Sequence, residues 1–163
     1  MFKLILLLVS SALFSQTTAS PGLDQKDFDG TDCCWRKLSE QKQYKESAAL
    51  IVAYIEHGNV ANIQSLNWHA GQMFAFAGEN KQALKYFRKT YNVIQKWFGG
   101  EDGKAWFYFA KGTAAFIRRD KVTLARIIGK WKRKLPVDRN LKELEKLLFN
   151  WDMQYKEAAG GPP

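Results

Sequence analysis

Residues 67–91, NWHAGQMFAFAGENKQALKYFRKTY, decide how the chain is organised. Two helical patterns flank Gly78-Glu79-Asn80, a break short enough for a single turn. Gly71 and Ala83 are small enough for the two helices to approach closely. Phe74 and Phe87 are large enough to fill the space between them, and Gly78 permits the tight turn. The stretch therefore reads as one helical hairpin.

Working outward, helical patterns alternate with short breaks along the chain. A short helix is expected over 35–43, followed by one over 44–57 that carries Ala48, Ile51 and Ile55 on one side and stops at Gly58-Asn59. The central hairpin extends to helices over 60–77 and 81–98. Gly99-Gly100-Glu101-Asp102-Gly103 breaks the second, and a further pair spans 104–118 and 121–135. Asp138 stands where an N-cap belongs, ahead of a last helix running to about residue 158. Leu141, Leu144, Leu148, Trp151 and Tyr155 fall 3, 4, 3 and 4 apart, so one stripe of that helix should be buried. Residues 20–31 read as an irregular lead-in, 32–158 as the helical domain, and 159–163 as a disordered tail. No stretch alternates like a strand, and the class expected is all-α.

The central hairpin closely resembles a tetratricopeptide (TPR) unit. Gly71, Phe74, Gly78, Ala83 and Phe87 occupy that family's packing, turn and filler positions. The flanking pairs match less closely. In the third, Gly112, Ala115, Leu124 and Ile128 take the corresponding places, but Arg119 replaces the turn glycine. Gly71 to Gly112 is 41 residues, beyond the family period of about 34, so a longer helix or loop is expected between them. In the first pair, Tyr44, Glu46, Ser47 and Ile51 resemble a second helix, while Trp35 stands where the packing glycine would be. The resemblance implies a TPR-like stack of about three hairpins plus a C-terminal capping helix. It also implies a concave groove whose contacts map onto Trp68, Gln72 and Ala75, then Phe109, Thr113 and Phe116. A protein or peptide partner would lie there.

The first 19 residues resemble an export signal: Lys3, an apolar run over 4–14, and Thr17-Thr18-Ala19 before a cut. The run is shorter than the roughly 20 apolar residues of a spanning helix. The expected location is periplasmic or secreted, with no transmembrane segment after trimming. Cys33 and Cys34, adjacent in an exported chain, leave three options: free thiols, a bridge to another chain, or a strained vicinal ring.

The chain carries 25 basic and 16 acidic residues, and the excess is C-terminal. Between 118 and 139 nine bases face only Asp120 and Asp138. Arg118, Arg119, Arg126, Lys130, Arg133 and Lys134 form the candidate basic patch, suited to an anionic surface or an acidic partner. Export argues against nucleic acid. Asp27 to Asp32 mimics the start of a calcium loop, but Asp32 and Leu38 occupy the places of the required Gly and Glu. His57 and His69 read as capping or packing residues. No nucleophile motif or carboxylate pair stands out, so neither enzyme, metal site nor cofactor is expected. The expected function is a binding module (adaptor, scaffold or inhibitor) that grips a peptide or protein in the groove, with the basic patch as the alternative.

Overall fold

The computed structural model describes residues 22–160. The expected export signal over 1–19 and the last residues of the tail lie outside them. The elements are α1 (Gln25–Phe28), α2 (Cys34–Glu40), α3 (Tyr44–His57), α4 (Ile63–Phe76), α5 (Asn80–Arg88), α6 (Val93–Phe98), α7 (Gly100–Ile117), α8 (Lys121–Lys134), α9 (Arg139–Phe149) and α10 (Tyr155–Ala158). Among the described residues there is no strand, and successive helices pack on one another. The fold is all-α, and none of these helices is long and apolar enough to cross a membrane.

Three hairpins share one turn. Lys42 (φ 62°), Gly78 (φ 76°) and Arg119 (φ 59°) are left-handed, each two residues ahead of the second helix of its pair. The amide that follows, of Gln43, Glu79 or Asp120, donates to the carbonyl five residues back, on Leu38, Phe74 or Ala115. These bonds measure 2.8, 2.8 and 2.9 Å and are the six-to-one closure of a Schellman turn. Arg119 thus takes over the backbone role of the glycine it replaces. The three turns lie 36 and 41 residues apart. The longer interval contains α6, which has no counterpart between the first two hairpins.

Inside the central hairpin, a methyl on Gly71 would lie 2.7 Å from the Phe87 ring. Glycine there is required by contact. Gly112 stands in the same relation to Leu144 of α9, at 2.3 Å. Two apolar clusters result. One gathers Phe28, Trp35, Tyr44, Ile51, Tyr54, Leu66, Met73 and Tyr86. The other gathers Trp68, Phe87, Tyr108, Phe116, Leu124, Trp131, Leu144 and Tyr155, and Phe74 and Phe76 pack against both.

Four expected boundaries are corrected. The lead-in is part of the core from Leu23 onward: Phe28 stacks on Tyr54 at 3.9 Å, and the buried Gln25 side chain accepts from the amides of Ala61 and Asn62. The helix expected over 81–98 is two helices. Thr90 interrupts it, because its carbonyl accepts from Trp106 Nε1 at 2.6 Å and Gln64 Nε2 at 2.9 Å, while its hydroxyl bonds back to Phe87. The glycine-rich break expected over 99–103 lies largely inside α7, which begins at Gly100. The last helix breaks at Asn150, where Arg119 donates to the carbonyls of Trp151 and Met153. The chain then doubles back as α10, whose amide at Gln154 is capped by Glu157 at 2.9 Å.

Two substitutions of opposite sign test this packing. Gly71→Ala should lower urea-unfolding stability by about 1–3 kcal/mol, because the buried Phe87 ring has nowhere to move. Lys42→Gly should raise it by about 0.5–1 kcal/mol, since an exposed residue leaves a left-handed conformation costly to any side chain.

Candidate functional site

The first helices of the three hairpins, α2, α4 and α7, bear the surface on which the groove was expected. On α4, Asn62 caps the helix by accepting from the Ser65 amide at 3.1 Å. The stripe Ser65, His69, Gln72 and Phe76 then runs down the side opposite Gly71, at spacings set by the helix. The upper half of this stripe is open and the lower half is covered.

The cover is the chain's own C-terminus. Tyr155 of α10 is buried, with ring centroids 5.7 Å from Phe76, 6.2 Å from Phe87 and 6.2 Å from Phe116. Burial pushes its hydroxyl well above the ordinary phenol range, while a hydrogen bond with Gln72 opposes that shift. Ala158 is buried beside it, and Lys156 lies over the Tyr44 ring at 5.2 Å. Of the expected groove contacts, Ala75, Thr113 and Phe116 are buried, and Phe116 is the one that Tyr155 meets. Trp68 keeps an edge at the open half, Phe109 packs beside it at 5.0 Å, and Gln72 lies at the boundary. The correction has a physical cause. A stripe of Gln72, Phe76 and Phe116 offers an aromatic side chain more burial than water does, and Tyr155 is covalently close enough to take it.

Two clefts remain, joined at His69. One, of about 300 Å³, lies between α2 and α4 and is lined by Thr31, Trp35, Arg36, Ser39, Glu40, His69, Gln72 and Met73. The other, of about 390 Å³, lies toward α7 and is lined by Asn62, Gln64, Ser65, Trp68, His69 and Trp106. The His69 and Trp35 ring centroids lie 5.0 Å apart, tilted by 34°. The Arg36 guanidinium lies 4.3 Å from the Trp35 ring centroid, fixed by its Nε donating to the Asp29 carbonyl at 2.9 Å. Trp35 in turn donates to the Phe28 carbonyl at 3.0 Å. Trp35, Arg36, Gln64 and Trp106 are thus each held by a backbone carbonyl. The sequence points to packing for His69 and to Trp106 only as one of four consecutive aromatics, 106–109, that one helix cannot bury on every side; it gives no sign of Arg36 or Ser65. The signal was the α4 stripe itself, legible only once α2 and α7 were known to flank it.

Burial lowers the His69 pKa below the ordinary imidazole value. Asp29 and a hydrogen bond with Gln72 raise it, and Arg36 lowers it further. Gln72 thus touches both His69 in the cleft and Tyr155 under the cover.

The basic patch is more broken than its sequence suggests. Arg119 is spent on the turn at 151–153 and lies over the Phe116 and Trp151 rings. Lys132 pairs with Glu145 at 2.5 Å. Arg118 and Arg126 lie near Asp120 and help hold its carboxyl below the usual range, after the Thr123 hydrogen bonds. Lys130, Arg133 and Lys134 are exposed and in no ion pair among the described residues.

Cys33 and Cys34 are free thiols with Sγ atoms 3.0 Å apart. Burial first, then Cys33, pushes the Cys34 thiol up to about 11, which keeps it protonated and weakly nucleophilic at neutral pH. No group of three or more His, Cys, Asp and Glu side chains gathers to hold a metal among the described residues. No family model, curated protein or solved structure matches the chain.

The two histidines make one titration decisive. His69 should titrate below about 6.5 by NMR. Because its folded pKa is depressed, the unfolded chain binds the extra proton first. Stability should therefore be unaffected by His69 above about pH 6.5 and fall as pH drops through the window below it.

Proposed function

We propose that this chain is a TPR-like, exported protein-binding module that holds an extended peptide segment of a partner in the His69 clefts. The observation that supports the reading is the pair of joined clefts on α2, α4 and α7. Trp35, Trp68 and Trp106 supply apolar walls, and Arg36, Asn62, Ser65, His69 and Gln72 supply donors and acceptors along the same line. An extended peptide presents both kinds of surface in alternation, and a preformed cleft lowers the ordering it requires. The thrice-repeated turn and the Gly71–Phe87 contact support the TPR-like reading.

A second reading rests on Lys130, Arg133 and Lys134, which are exposed and in no ion pair among the described residues. That face suits an anionic surface or an acidic partner.

Affinity capture with the mature chain from its native source, at low and high salt, separates the two. Ser65→Arg and Arg36→Glu fill or invert the clefts at half-buried positions outside the two apolar clusters. Each should reduce recovery of the partner about tenfold while circular dichroism is unchanged. A partner that survives both substitutions but is lost at high salt, or on Lys130→Glu with Arg133→Glu, would reject the cleft and favour the basic face.

A further inference from the structure

Helix α6 is built the wrong way round for a soluble surface. Val93, Ile94, Trp97 and Phe98, at i, i+1, i+4 and i+5, share one face, and they are 60, 72, 67 and 86 % exposed. The lysine of the helix sits among aromatic rings. Lys96 Nζ lies over Trp97 at 5.3 Å on its own helix, and over Phe107 at 5.1 Å and Tyr108 at 5.9 Å on α7. Lys111 covers the same Phe107 ring at 5.3 Å. Lys104, Phe107, Tyr108 and Lys111 form one stripe of α7, spaced 3, 1 and 3, so α6 lies on a bed of aromatic rings rimmed by three lysines. Tyr108 also meets Trp131 of α8 at 5.9 Å, which joins this bed to the helix bearing Lys130, Arg133 and Lys134. Glu101 and Asp102 at the start of α7 share a cleft with Lys134 and Asp138.

A contiguous apolar face this exposed marks a contact surface. Its surroundings identify the occupant. A second copy meeting it about a two-fold axis would bring Lys96, Lys104 and Lys111 against the same three lysines. An anionic bilayer meets both features together: Trp and Phe side chains settle at the headgroup boundary, lysine stems lie along apolar surface with the ammonium outward, and basic residues gain from the negative surface.

We infer that α6 is a membrane-docking helix, inserting Ile94, Trp97 and Phe98 into the headgroup region of an anionic lipid bilayer while the surrounding lysines contact lipid phosphates. This deepens the basic-face reading and is independent of the cleft.

The test is cosedimentation of the full mature chain with vesicles of phosphatidylcholine alone, or of equal parts phosphatidylcholine and phosphatidylglycerol. The chain should sediment with the anionic vesicles, remain in solution with the neutral ones, and be released as salt rises. The variant Ile94→Ser with Trp97→Ser and Phe98→Ser alters only exposed positions. It should keep the wild-type circular dichroism and bind about tenfold more weakly or less. Undiminished binding by this variant, with binding lost in Lys130→Glu with Arg133→Glu, would overturn the α6 proposal and leave the basic face standing. No sedimentation of the wild type on anionic vesicles would overturn both. Equal sedimentation on neutral vesicles, or a wild-type dimer that the α6 variant converts to monomer, would also overturn the proposal.

Discussion

The Phe87 ring resting on the bare backbone of Gly71 is the contact from which the remaining architecture follows. It sets how closely α4 and α5 approach, and hence how their neighbours can stack. Trp68 packs against the same ring at 4.8 Å, and Tyr155 meets it edge-on at 6.2 Å. One aromatic thus joins the central hairpin to the edge of the open cleft and to the segment that closes the groove below. The repeated left-handed turn fixes the second requirement, a constant reversal between paired helices. At Gly78 this conformation is free of side-chain cost. At Lys42 and Arg119 it is not, and Arg119 offsets the cost with two hydrogen bonds to the C-terminal turn.

That role of Arg119 connects the basic segment to the groove. The residue looks like surface charge in sequence, yet it holds the loop from which Tyr155 swings back over Phe76 and Phe116. The cover shortens the concave face and concentrates its polar groups around His69. Gln72, bonded to His69 on one side and Tyr155 on the other, marks the boundary between the covered and open halves. Surface charge and recognition geometry are therefore not independent features of this chain.

Much of the fold was legible in sequence because it depends on local rules. The helix over 44–57 matched to the residue, and Gly71, Gly78, Ala83 and Phe87 named the central hairpin by size and spacing alone. The misreadings arise where a distant partner overrides a local pattern. The 3, 4, 3, 4 spacing from Leu141 to Tyr155 suits one continuous helix, but Arg119, 32 residues from Trp151, captures the carbonyls that would continue it. Thr90 breaks α5 from α6 because Gln64 and Trp106 compete for its carbonyl. The lead-in looked irregular because the hydrogen bonds of Gln25 go to the loop before α4. The expected groove positions followed from a resemblance that carries no information on a segment folding back over them. Cleft residues such as Arg36 were hidden for the same reason, since their value depends on which helices flank them.

The central question is whether the C-terminal segment is a fixed part of the domain, so that the α4 stripe is open only around His69. Amide hydrogen exchange measures this directly. The account predicts that the α10 amides whose hydrogen bonds close the turn, those of Ala158 and Ala159, are protected to a degree comparable with the middle of α4 and α7. Exchange at the rate of an unstructured tail, with α4 and α7 still protected, would contradict it and return Phe76 and Phe116 to solvent.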